Sequence, residues 1–186
     1  MRSISDTVFS RLGYYMSGPR EQHVRRVVHT ASELAMRFSL PGEKVRAAAV
    51  FHDLDRELGA GPTLARASDW GIRLLAVERR SPILAHGAIT AERMFRQYGL
   101  QDTEVLMAVR HHTLGHPDLG AVGLALYVAD FCEPGRKHLS NEDRTAILAE
   151  TTLPAMVRRI IDLSRLRFGA LEAPTWYLYE RMEKEL

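Results

Sequence analysis

Apolar residues return along this chain at helical spacing and nowhere with the alternation of a strand. The plainest case is Val24, Val27, Val28, Ala31, Leu34, Ala35 and Phe38, whose i, i+3, i+4, i+7 recurrence predicts a helix with one buried face. A helix over residues 4–16 is expected before it, closed by a turn at Ser17, Gly18 and Pro19. After a break at Leu40, Pro41 and Gly42, Glu43 opens a helix whose stripe includes Val45, Ala48 and Ala49. Gly59, Gly61 and Pro62 mark a loop, followed by short helices over 63–69 and 72–78, with Trp70 as a packing residue. Ser81 as N-cap and Pro82 at the first helical position predict a helix reaching about Tyr98. Asp102 or Thr103 caps the next one, which carries Val105, Ala108 and Val109. A mostly apolar helix over 121–131 stops at Glu133, Pro134 and Gly135. Helices over 141–151 and 153–168, and a last one opened by Pro174, complete the chain. This is an all-α pattern with no repeat, low-complexity tract or linker, so one domain is expected over residues 1–186.

Several polar residues sit on these apolar stripes. His23 lies four residues before Val27, and His52 follows Ala48 by four and Val45 by seven. His86 comes three after Ile83, on the side of Ile89, Ala91 and Met94, while His112 follows Ala108 by four and Val105 by seven. Asp53 is rotated about 100° from His52, at the edge of its stripe. Asp130 is the one charge near the end of the apolar helix. Each histidine alone has a plain reading as a cap or a satisfied core residue. The aspartates do not, because a carboxylate beside a core run must be paired. Metal ions account for all six together. Two divalent ions outweigh two aspartates by two positive charges, enough to attract an anionic substrate and to lower the pKa of a bound water. Imidazole and carboxylate donors suit iron, manganese or zinc, and spacing does not choose among them.

Composition narrows the chemistry further. At about 150 residues per domain, 186 residues make one domain. A chain of this size buries roughly 70% of its unfolded surface, so a metal is expected to be functional and not structural. The single Cys132 excludes an internal disulfide and a CxxC zinc site, and at the end of an apolar helix it reads as a buried, inert thiol. Lys and Arg number 25 against 23 Asp and Glu, too near balance to argue for nucleic acid. The arginine pairs 25/26, 79/80 and 158/159 read as solvated helix faces. The first residues lack a signal-peptide apolar region, and the longest apolar run, near 123–129, is too short for a bilayer. A cytoplasmic protein without a membrane partner is expected. HExxH, GxSxG and GxxxxGK[ST] are absent. His29 and His138 read as surface residues, whereas His111 and His116 flank the candidate site.

The ordered series REQHVRRV at 20–27, AVFHDLDRE at 49–57, LAHGAITA at 84–91, RHHTLGHP at 110–117 and YVADFCEPGR at 127–136 resembles the HD superfamily of metal-dependent phosphohydrolases. Within it, the AD..EPGR block is similar to the YqeK family of symmetrical bis(5'-nucleosyl)-tetraphosphatases. The resemblance covers about residues 20–140, with the helices of 141–186 packing on that core, and implies a helical bundle holding a metal site between its helices. It assigns His23, His52, Asp53 and Asp130 to one metal and His86 and His112 to a second, with Asp53 bridging. It further implies two iron ions, a bridging hydroxide that attacks an inner phosphorus, and cleavage of diadenosine tetraphosphate to two ADP. Asp53 and Arg56 are the candidate catalytic residues, and Arg56, Thr113, His116 and Arg136 the candidate substrate contacts. A homodimer is compatible with this reading. Alternatives are an HD phosphohydrolase acting on a nucleoside monophosphate or dinucleotide messenger, and a non-enzymatic nucleotide sensor. The family pattern usually has lysine where this chain has Arg56, and an uncharged residue where it has Asp55. Arginine keeps the phosphate-binding charge with altered geometry, and Asp55 is expected to add negative charge that affects substrate preference.

Overall fold

The computed structural model describes residues 3–185, which form eleven α-helices and two 3-10 turns, with no strand among the described residues. The helices are α1 (Ile4–Phe9), α2 (Gly18–Arg37), α3 (Gly42–Phe51), α4 (Ala60–Asp69), α5 (Ala76–Arg80), α6 (His86–Tyr98), α7 (Thr103–His111), α8 (Ala121–Cys132), α9 (Asn141–Leu148), α10 (Leu153–Phe168) and α11 (Ala173–Lys184). The 3-10 turns are Leu12–Tyr14 and Pro82–Ala85. No described helix is long and apolar enough to cross a membrane.

The bundle is arranged around α8. Val122 to Ala129 and Cys132 are all buried, and a helix apolar on every side must be wrapped by others. Helices α2, α3, α7 and α10 pack on it. The buried stripe of α2 is the one expected, including Val24, Val27, Val28, Ala31, Leu34 and Ala35. From α10, Met156, Val157, Ile160 and Ile161 join the same core, as do Leu178 and Met182 of α11. A smaller apolar cluster of Ala67, Leu74, Ala85, Ala88 and Ile89 packs α4 against α6, with Trp70 resting on it.

Several boundaries differ from those expected. The helix expected over 4–16 breaks after Phe9, because Arg11 leaves helical geometry (φ −125°, ψ 19°) and the chain tightens into the 3-10 turn. Gly18 and Pro19 belong to the first turn of α2, where proline's missing N–H is no loss. His23 therefore sits in the second turn, not at the start. The helix expected over 72–78 forms only at Ala76–Arg80: Gly71 turns left-handed (φ +66°), and Leu75 stays extended as N-cap, its amide held by Glu78 at 2.7 Å. Pro82 does stand at a first position, but of a 3-10 turn, and α6 begins only at His86. The helix expected to reach 151 ends at Leu148. The caps at Asp102 and Ser140 form as side-chain acceptors of backbone amides.

Four helix ends thus point at one place. Helix α3 delivers His52 and Asp53 in the turn after Phe51, α6 delivers His86 at its start, α7 is followed by His112, and α8 carries Asp130 in its last turn. Gly87 makes one of these meetings possible: a Cβ there would stand 2.6 Å from the Val109 carbonyl and 3.2 Å from His112 Nδ1. Only a glycine lets α6 approach the end of α7 this closely.

Candidate metal centre

Three of the four histidines share one design. The Nδ1 atoms of His52, His86 and His112 lie 2.8, 2.6 and 2.7 Å from the carbonyls of Ala49, Ile83 and Val109, each three residues earlier. Each Nδ1–H donates to its carbonyl, which leaves Nε2 unprotonated. His23 Nδ1 meets Glu133 Oε1 at 3.1 Å. All four rings are buried, and their Nε2 atoms converge: His23 to His52 at 3.3 Å, His86 to His112 at 3.0 Å.

Asp53 lies between these pairs. Its Oδ1 is 3.0 Å from His86 Nε2 and 3.8 Å from His112 Nε2, while its Oδ2 is 3.4 Å from His23 Nε2 and 3.6 Å from His52 Nε2. Asp130 Oδ1 completes the first pair, 3.1 Å from His23 Nε2 and 3.8 Å from His52 Nε2. Donor atoms of His23, His52 and Asp130, and of His52, Asp53 and His112, lie within 4.8 Å of one another in each group. These are His/Asp clusters with the donor chemistry of a metal site, and they contain no cysteine.

The donor set tests the fit of a cation. Imidazole lone pairs and carboxylate oxygens face one another here, so the centre is rich in acceptors and short of donors. In the metal-free arrangement burial lowers the pKa of His23, but hydrogen bonds to Asp130 and Asp53 outweigh it and raise the value to about 9. His23 therefore holds a proton that a cation would displace. Burial drives His52 down to about 4 and also lowers His86. Burial works against ionised Asp53 and Asp130 too, yet His52 and the other imidazoles hold Asp53 well below the usual range, and His23 and Arg136 do the same for Asp130.

Around the cluster stand groups that the sequence pattern did not assign. Arg20 Nη1 donates to Asp53 Oδ2 at 2.7 Å. Glu133, which reads along the chain as a helix stop, is 1% exposed and receives His23, the Gly135 amide at 2.6 Å and Arg26 Nε at 2.5 Å. Arg26 is thus tied to the site and is not a solvated face; Arg25 pairs with Glu21 on the surface, as expected. A carboxylate behind a ligating histidine fixes the ring's orientation and basicity. The available signal for Glu133 was its i+3 spacing from Asp130.

The candidate substrate contacts separate. Arg136 donates Nη2 to Asp130 Oδ1 and Nε to the Asp130 carbonyl at 2.8 Å, so it both braces Asp130 and satisfies the end of α8. Thr113 Oγ1 is 3.3 Å from His112 Nε2. Arg56 is half-buried, with Nη1 3.4 Å from the Ile83 carbonyl. His116 lies outside the cluster, its ring 4.4 Å from that of His111. Asp55 differs from expectation: its carboxylate turns toward α4 and α6, where Arg66, Arg93 and Thr90 engage it at 3.4, 2.7 and 3.1 Å. The carboxylate is thus engaged by groups of the fold itself. His29 and His138 are exposed, and Cys132 is buried with its thiol pushed up to about 12 by burial.

A helical bundle that gathers histidines and aspartates from successive helix ends in this way is an HD-type hydrolase. The HD-domain family model matches residues 20–166, and the chain belongs to that family. It is related to the symmetrical bis(5'-nucleosyl)-tetraphosphatases: it is 33% identical over 138 residues to that of Bacillus subtilis (strain 168), covering 70% of this chain and 69% of the relative. Against the one of Staphylococcus aureus (strain NCTC 8325 / PS 47) it is 37% identical over 119 residues, 63% of this chain and 60% of the relative. A crystal structure of an HD superfamily hydrolase from Clostridium acetobutylicum, described as involved in NAD metabolism, superposes with a TM-score of 0.87 at 25% identity, covering all of both chains.

Proposed function

We propose that this protein hydrolyses dinucleoside polyphosphates, cutting diadenosine tetraphosphate symmetrically to two ADP. The observation that carries the reading is the convergence of four imidazole Nε2 atoms on the two oxygens of Asp53, one oxygen toward each histidine pair. The names borne by the Bacillus and Staphylococcus relatives support the substrate. His23, His52, Asp53 and Asp130 would hold one ion and His86, His112 and Asp53 a second, with iron as the proposed metal and manganese or zinc as substitutes. Such ions supply Lewis-acid polarisation of phosphoryl oxygens and lower the pKa of water.

The chain's own contribution is charge and position. A cavity of about 400 Å³ beside His23 is lined by Arg20, Arg26, Arg136 and Lys137 against Glu57 and Glu133, a net basic setting for a polyphosphate. Arg20 Nε is buried with no partner among the described residues. Burial lowers the pKa of Arg56, and the nearby Asp53 and Asp130 carboxylates work against that shift, so the guanidinium stands as a further positive charge near the cluster. Arg20 and Arg136 meanwhile hold the Asp53 and Asp130 carboxylates in place.

The test is product analysis. Metal-loaded protein incubated with diadenosine tetraphosphate should give ADP alone; AMP with ATP, or no turnover with iron, manganese or zinc, would overturn the reading.

A further inference from the structure

A second cavity, of about 370 Å³, lies between α5, the loop after α7 and the start of α11, and the chemistry above does not use it. Its walls are mostly apolar, with Val77 and Pro174 among them, and three aromatic rings line it: His111, His116 and Tyr177. The His111 and His116 rings lie 4.4 Å apart at 38°. The Asp118 amide donates to His116 Nδ1 at 3.1 Å, which places that ring's proton on Nε2 as a donor. Burial, with His116 and Arg110 nearby, lowers His111 to about 3, so this ring is neutral at pH 7. Arg80 and Glu172 also line the cavity and pair at 3.2 Å, offering a guanidinium donor beside a carboxylate acceptor.

Flat aromatic walls with a donor and an acceptor at the edge are what a purine base requires: stacking on its faces, hydrogen bonds along its rim. The cavity is also joined to the metal cluster by a short, fixed loop. Thr113 Oγ1 touches His112 Nε2, and His116, three residues on, lines the cavity. Three residues of extended chain reach at most about 10 Å, a span that a ribose and diphosphate can bridge. The loop is pinned from α11, where Thr175 Oγ1 donates to the Leu114 carbonyl at 2.7 Å and Arg181 Nη1 to the Pro117 and Leu119 carbonyls at 2.7 and 2.6 Å. Gly115 is left-handed (φ +75°), and a Cβ there would fall 2.5 Å from Leu178 Cδ2, so the loop seats tightly on α11. A site held open in this way costs little ordering when a ligand enters.

We propose that this cavity is the pocket for one purine base of the substrate, with the attached phosphates running past Thr113 into the His/Asp cluster. The proposal rests on the nucleotide reading above and adds what that reading lacks: recognition of the nucleoside. The two cavities differ in kind, basic beside His23 and apolar beside His116. The central phosphate chain is therefore held in the basic setting and one terminal nucleoside by its base in the apolar cavity.

Two variants test it. Ala173→Trp places an indole into the cavity from the exposed first residue of α11, and Tyr177→Ala removes an aromatic wall that is itself 54% exposed. Binding of ADP to the manganese-loaded full chain is measured by calorimetry, and kcat/KM on diadenosine tetraphosphate alongside it. Each variant should weaken ADP binding and lower kcat/KM by about tenfold or more, the size of one lost base stack, with an unchanged melting temperature. Unchanged ADP affinity in both variants overturns the pocket. So does a change in sedimentation mass with ADP affinity intact, which would make the cavity a contact between copies of the chain. If the wild type fails to cleave diadenosine tetraphosphate while ADP binding still falls in Ala173→Trp, the base pocket stands and the proposed substrate does not.

Discussion

Asp53 and Asp55 stand two residues apart after α3, each 4% exposed, and meet opposite surroundings. Asp55 is enclosed by two guanidiniums and a hydroxyl, all supplied from α4 and α6. Asp53 has one guanidinium, from Arg20, and otherwise faces imidazole Nε2 atoms turned toward it. Burial raises the pKa of each. At Asp55 it prevails over Arg93, Thr90 and Arg66, whereas at Asp53 the imidazoles overcome it. A buried carboxylate does not by itself mark a reactive centre. What marks one is the kind of neighbour: Asp53 meets imidazole Nε2 atoms that can themselves hold a metal, whereas Asp55 meets guanidiniums and a hydroxyl.

Removing each carboxylate should separate the two roles. Asp53→Ala is expected to reduce both metal content and ADP formation to background, read by elemental analysis and product separation; a variant that keeps its metal would show that Asp53 is no more central than Asp55. Asp55→Ala leaves Arg93 and Arg66 without their shared partner and should cost about 3 kcal/mol in urea unfolding, while the folded protein keeps its metal. Loss of metal without loss of stability would reverse the comparison.

Smaller changes sharpen it. Glu133→Gln withdraws the carboxylate behind His23 and should weaken metal binding about 10- to 100-fold in a chelator competition, with the Asp55 network untouched. The last effect is one of pH. Because the folded-state pKa of Asp55 is raised, its stabilisation is fully present below the ordinary value of 3.8 and is lost as the pH rises through the folded value. Asp53, held low, behaves in the reverse sense: its stabilisation is present above 3.8 and lost as the pH falls. Urea unfolding of metal-free protein should therefore find Asp55→Asn more costly near pH 4 than at pH 7. The opposite trend would mean that the Arg93 ion pair outweighs burial.

Much of this was legible along the chain because helical periodicity is local. The all-α class followed from the repeat of apolar positions, and so did the inward placement of His23, His52, His86 and His112, since a residue's face on a helix depends only on its spacing from its neighbours. The Asp102 cap needed nothing beyond four consecutive residues. Boundaries were less legible where a turn decided them, as at Gly71 and Leu75, whose backbone angles delay α5 to Ala76.

What the chain order could not supply was partnership. Asp53 and Asp55 look alike in FHDLDRE, and their difference arises because α2 brings Arg20 to one and α4 and α6 bring Arg66 and Arg93 to the other. Glu133 becomes part of the centre only once α2 lies against the end of α8, and His116 leaves it because α11 pulls its loop toward a separate cavity. Sequence determined which helix faces must be buried. Tertiary packing decided what each would meet there, because the charge that compensates a buried group comes from residues distant in the chain.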